Sequence, residues 1–77
     1  MRFNYSKLLG RMKECGFTQE KLAKEVGISV TTMSQKLNNK AHFYHPEMMK
    51  ICKALNITGA DVYAIFFTLE VEKNSTE

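Results

Sequence analysis

The sequence predicts an all-α domain, and three observations carry that prediction. Apolar residues recur at helical spacing in five separate short segments. Residues with helix-capping or helix-ending chemistry stand between those segments. No confident strand pattern occurs before residue 67. The 77 residues suffice for a single domain, 1–77, with one modest core, and residues 68–77 form an arm or tail.

The first helix is expected from about Tyr5 to Cys15 with Asn4 as N-cap, since Tyr5, Leu8, Met12 and Cys15 form one stripe. Gly16 suits a left-handed C-terminal position. Thr18 caps a second helix whose apolar positions are Leu22, Ala23 and Val26. Ser29 caps a third, about Val30 to Leu37, with Met33 and Leu37 turned inward, and Asn38-Asn39-Lys40 ends it. Pro46 opens a fourth helix carrying Met48, Ile51, Cys52 and Leu55. Thr58 and Asp61 resemble a capping box for a fifth, with Val62, Ile65, Phe66 and Leu69 on its inner stripe. Residues 67–72 then alternate apolar and polar, which suits a short strand or an extended arm.

Gly27 interrupts good helix on both sides. Two short helices meeting at roughly 90–120° need a tight turn in which one residue takes positive φ. That conformation costs a residue with a Cβ about 1–2 kcal/mol and glycine almost nothing. Ile28 would plug the angle between the helices, and Ala23 would lie where their axes approach most closely. Leu22, Val26 and Met33 complete the small core of a helix–turn–helix.

The stretch TQEKLAKEVGISVTTMSQKLNNK (18–40) resembles the helix–turn–helix of the lambda-type repressor and Cro family, the XRE-like regulators. Gln19, Ala23, Gly27 and Met33 occupy the motif's first, fifth, ninth and fifteenth positions, and the likeness extends over most of residues 5–67. It implies a compact five-helix, lambda-repressor-like DNA-binding domain with the motif as helices 2 and 3. Lys36 departs from the pattern, standing where the family usually has an apolar residue, and Leu37 is expected to take the inward role. The chain is similar to the short, Cro-like members.

In such a domain the third helix enters the major groove, leading with its N-terminal residues. The resemblance assigns base reading to Ser29, Val30, Thr31, Ser34 and Gln35. Gln35 can bond bidentately to adenine, and Val30 can meet a thymine methyl. Other roles stay open at three of these positions, and Thr31 can be an ordinary solvated residue of the helix. Val30 shares a helical spacing with Met33 and Leu37 and so suits the core, and Ser29 can be an N-cap alone. Phosphate contacts are expected from Gln19, at the start of the second helix, and from Lys36, Asn38, Asn39 and Lys40 at the end of the third.

Residues 1–40 hold eight basic and three acidic side chains, a net +5, while residues 41–77 hold three and five, a net −2. That asymmetry favours an oriented polyanion partner. The resemblance implies that this partner is double-stranded DNA, read as a homodimer on a two-fold symmetric operator as the family's members do. Tyr63, Phe67 and Val71 are the apolar residues least explained by the core and are the candidate dimer contacts; the competing arrangement folds the tail back over its own chain. The implied activity is transcriptional repression by occupying operators. The alternative is a modulator or antirepressor that acts by contact with a partner repressor.

No apolar run approaches the roughly 20 residues that span a bilayer, so a cytoplasmic chain with no membrane contact is expected. Cys15 and Cys52 are expected to be buried free thiols. The spacing of His42, His45, Cys52 and Cys15 matches no compact zinc pattern. His42-Phe43-Tyr44-His45 reads instead as a loop packing its aromatics beside the third and fourth helices. Neither a cofactor motif nor a nucleophile with an adjacent base is present, so no enzymatic role is expected.

Overall fold

Four helices are closed by one device, repeated at Gly16, Gly27, Asn39 and Asn56. In the computed structural model, which describes residues 2–70, all four residues take the left-handed conformation, with φ of 75°, 89°, 64° and 55°. The next residue's N–H then reaches back five positions. Phe17 donates to Met12 (2.8 Å), Ile28 to Ala23 (3.0 Å), Lys40 to Gln35 (2.8 Å) and Ile57 to Cys52 (2.8 Å). At Met12 and Gln35 the bond satisfies a carbonyl that the last helical turn leaves open, and at Ala23 and Cys52 it shares the carbonyl with the N–H of Gly27 and Asn56.

The helices so bounded are α1 (Ser6–Glu14), α2 (Gln19–Val26), α3 (Val30–Leu37), α4 (His45–Leu55) and α5 (Ala60–Phe67). Among the described residues, this is a small all-α fold of five helices, with no strand beyond one isolated antiparallel bridge. Thr18 Oγ1 accepts from the Lys21 N–H (3.1 Å) and Ser29 Oγ from the Thr32 N–H (3.0 Å), so both motif helices start on the expected caps. At α1 the Asn4 side chain accepts from the Ser6 N–H (2.9 Å), and Tyr5, whose ring is buried, stands at the N-cap position itself.

Four expectations fail for local reasons. The Thr58–Asp61 capping box does not form: Gly59 is the N-cap of α5, no side chain caps it, and Asp61 donates from its backbone to the Thr58 carbonyl. Leu69 lies beyond α5 and is about half exposed, because Thr68 turns to extended backbone after Phe67. Cys15 is exposed: α1 ends one residue earlier, and the thiol points to the Leu55 carbonyl (3.6 Å) at the surface. Cys52 is half-buried, and that burial raises its thiol pKa above the ordinary value; both cysteines are free. The aromatic loop divides: Phe43 is buried against Tyr5 and Phe66, with ring centroids 5.4 and 5.6 Å away, while Tyr44 stays 66% exposed.

Leu8, Met12, Leu22, Ala23, Val26, Met33, Leu37, Ile51, Leu55, Ile65 and Phe66 build one core. Each fully buried Leu, Ile or Phe contributes roughly 1.5–3 kcal/mol relative to exposure. α2 packs on both α3 and α4, and α1 packs on α5. Residues 2–4 and 68–70 pair with each other. Asn4 donates to the Thr68 carbonyl (2.7 Å) and Glu70 to the Arg2 carbonyl (2.9 Å), flanking the bridge between Phe3 and Leu69. Through residue 70 the arm thus folds back on its own chain.

Candidate nucleic-acid interface

The turn between α2 and α3 is three residues long. Gly27 and Ile28 both donate to the Ala23 carbonyl (2.8 and 3.0 Å), which turns the chain sharply, and half-buried Ile28 packs against the core at the corner. Ala23 is almost fully buried, and Met33 on α3 is fully buried. The four expected structural residues, Ala23, Gly27, Ile28 and Met33, therefore meet at the joint of the two helices.

With Met33 and Leu37 buried, α3 turns Val30, Thr31 and Gln35 outward, and all three are exposed. Val30 is 43% exposed, so its spacing with Met33 and Leu37 does not make it a core residue. Ser29 is exposed, yet both hydrogen-bonding capacities of its hydroxyl are engaged. It accepts from the Thr32 N–H and donates to Thr32 Oγ1 (2.9 Å). Ser34 is half-buried and is held by Asn38, whose Nδ2 donates to the Ser34 carbonyl (2.8 Å) and to its Oγ (3.3 Å). The outer face is accordingly short, uncharged and built around Val30, Thr31 and Gln35.

Of the expected phosphate contacts, Gln19 is exposed at the first position of α2, and Asn38 and Lys40 are exposed beyond the end of α3. Lys36 is not among them. It is 3% exposed and lies inside the fold beside Leu37, which corrects the expectation that Leu37 alone turns inward. Its Nζ donates to the His42 carbonyl (2.8 Å), lies 2.9 Å from Glu47 Oε1, and sits 4.3 Å above the Tyr44 ring. The aliphatic stem fills an apolar position while the ammonium finds charge and oxygen at its far end. Asn39 is also committed elsewhere. Its Oδ1 accepts from the Phe3 N–H (2.7 Å) and its Nδ2 donates to the Phe3 carbonyl (3.0 Å).

Burial alone would push the Glu47 carboxyl upward. The Tyr44 N–H (2.9 Å), the Lys36 ammonium and the charges of Lys36 and Lys50 outweigh it and hold the carboxyl below its ordinary value. Two further cations serve helix C-termini. Arg11 donates to the Leu55 and Asn56 carbonyls (2.9 and 3.3 Å) at the end of α4, and Lys50 to the Val26 carbonyl (3.4 Å) at the end of α2. Net charge by segment could not reveal these internal uses. Sequence distance does not single out Glu47 either, because Glu25 and Glu47 each stand 11 residues from Lys36.

Of the expected dimer contacts, Tyr63 is 70% exposed on α5, with its ring 5.3 Å from that of Phe67. Phe67 is less free, since it packs edge-on against Phe3 of its own chain (6.2 Å). Val71 lies outside the described residues. No helix among the described residues is long and apolar enough to cross a membrane, and no three His, Cys, Asp or Glu side chains among them group to hold a metal ion.

These features define a small five-helix domain that presents the second helix of a helix–turn–helix on its surface. The chain belongs to the family described as Protein of unknown function (DUF739), which matches residues 1–69. No curated protein matches it.

Proposed function

We propose that this chain is a sequence-specific regulator that binds double-stranded DNA in the cytoplasm, a Cro-like repressor of the phage kind, acting as a homodimer on a two-fold symmetric operator. The observation that carries the reading is the outer face of α3. Its inner residues are buried and its one lysine is neutralised internally, which leaves Val30, Thr31 and Gln35 free on a helix narrow enough for a major groove about 12 Å wide. Gln19 at the start of α2 and Lys40 past α3 flank that face as phosphate contacts, while Asn38 beside them spends its Nδ2 on Ser34. Ser29 and Ser34 contribute mainly by shaping α3, because their hydroxyls already have partners. The function is binding, with no cofactor, metal or catalytic step.

Selection of duplexes from a random pool tests this reading. An enriched, two-fold related motif is expected, and Gln35→Ala should lose roughly 1–3 kcal/mol of discrimination at one base position. The exposed Tyr63, with Phe67 and Leu69 nearby, favours a second reading, a modulator that pairs with another repressor. Selection that enriches no motif, together with capture of a partner repressor through the α5 face, would establish that reading instead.

A further inference from the structure

Asn39 ends α3 in the left-handed conformation (φ 64°), so its carboxamide leaves the helix axis and meets the N-terminal segment side-on. There it offers Phe3 one acceptor and one donor, at 2.7 and 3.0 Å, the pair of bonds that a neighbouring strand residue would supply. On its other edge Phe3 is bridged antiparallel to Leu69, with the Asn4–Thr68 and Glu70–Arg2 bonds on either side. The Phe3 ring lies between those of Tyr5 and Phe67, at centroid distances of 6.1 and 6.2 Å. Thr68 in turn donates from its hydroxyl to the Ala64 carbonyl of α5. Hydrogen bonds therefore run without a break from the end of α3, through one asparagine side chain, to residues 2–4 and 68–70.

From this juxtaposition we infer that Asn39 is a positioning residue: it fixes the C-terminal end of the recognition helix against the paired chain ends, so that the seating of residues 2–4 and 68–70 sets how α3 meets DNA. The inference rests on the DNA-binding reading for its consequence, while the linkage itself is a property of the free protein. The same commitment removes Asn39 from the phosphate contacts. A side chain whose donor and acceptor are both held by buried or half-buried backbone is poorly placed to grip a phosphate as well.

Two variants of the full chain test it. Asn39→Gly keeps the left-handed φ at no steric cost and removes the carboxamide. Glu70→Pro removes the N–H that bonds to the Arg2 carbonyl, together with the carboxylate that accepts from Arg2 Nε (2.8 Å), and leaves Asn39 untouched. Both are first shown to be folded by circular dichroism. In the free protein, Asn39→Gly should speed amide exchange at Asn4 and Glu70, and Glu70→Pro should speed it at Asn38, Asn39 and Lys40, which close α3. On the selected duplex, both should reduce discrimination against a changed base pair by about 2- to 30-fold, and the double variant no more than the stronger single. Unchanged exchange at the far end of the linkage in both variants would overturn the inference, as would faster exchange with undiminished discrimination. If no duplex is enriched, the DNA reading fails while the exchange measurements still decide the linkage.

Discussion

Gly27 has open space where a Cβ would stand, with nothing within 4 Å, so its φ of 89° is the reason for glycine there. Gly27→Ala should therefore cost about 1–2 kcal/mol, read from the urea midpoint at unchanged slope, with no repacking of the core. Asparagine tolerates the same conformation, as the chain itself demonstrates at Asn39 and Asn56, so Gly27→Asn should lose less than Gly27→Ala. A larger loss for asparagine than for alanine would mean that space, and not backbone conformation, governs the position. Ala23 presents the opposite case. It is buried at the joint, so Ala23→Leu should cost about 1–3 kcal/mol by overpacking even though leucine is a good helix former.

Between elements, the tie from α3 to α4 is ionic. Removing the carboxylate leaves the Lys36 ammonium buried with only a carbonyl and a ring for company, and such a loss typically costs about 3–5 kcal/mol. Glu47→Ala should fall near the lower end, because the His42 carbonyl and the Tyr44 ring remain. Lys36→Met combined with Glu47→Gln should recover most of the loss, since it retires both charges at similar volume and keeps an acceptor for the Tyr44 N–H. The pH dependence has a definite sign. The folded carboxyl titrates below the ordinary value of 4.5, so the folded state binds fewer protons than the unfolded one as pH falls. The contribution is complete above about pH 5 and is lost as pH drops below 4.5 through the folded value, and Glu47→Gln should flatten that part of the profile. The sequence made the helices legible, because capping residues and apolar spacing act within a few positions of one another. Met33 and Leu37 turn inward as their spacing predicts. It could not make Lys36 or Asn39 legible, because their partners Glu47 and Phe3 lie 11 and 36 residues away and only the folded chain brings them together. Cys15 misled by the same logic: it keeps the stripe's period but falls one residue past the helix that would have buried it.

For the whole molecule, the internal use of Lys36 has a measurable electrostatic consequence. If the domain binds DNA, affinity should fall with salt at about 0.9 log units per log unit for each phosphate neutralised. Lys40→Ala should reduce that slope by about one such increment, whereas Lys36→Met should leave it unaltered because its ammonium already faces Glu47. Oligomeric state is the other property at this scale. A single domain of this size covers about 600–1,000 Å² on a duplex, too little for strong selectivity, and pairing two copies raises affinity through effective concentration by about 10²–10⁴. Tyr63 is the residue through which to test the pairing. It is 70% exposed, so Tyr63→Asp leaves the core intact, whereas Phe67→Asp would also disturb the contact with Phe3 that seats the chain ends. In sedimentation, the parent chain should run as a dimer and Tyr63→Asp as a monomer of unchanged helicity. Affinity for a two-site operator should then fall by the avidity factor of about 10²–10⁴ while affinity for an isolated half-site stays constant. A variant that remains dimeric would move the interface away from α5, and a monomeric parent chain that still selects a single half-site would remove the homodimer from the proposal.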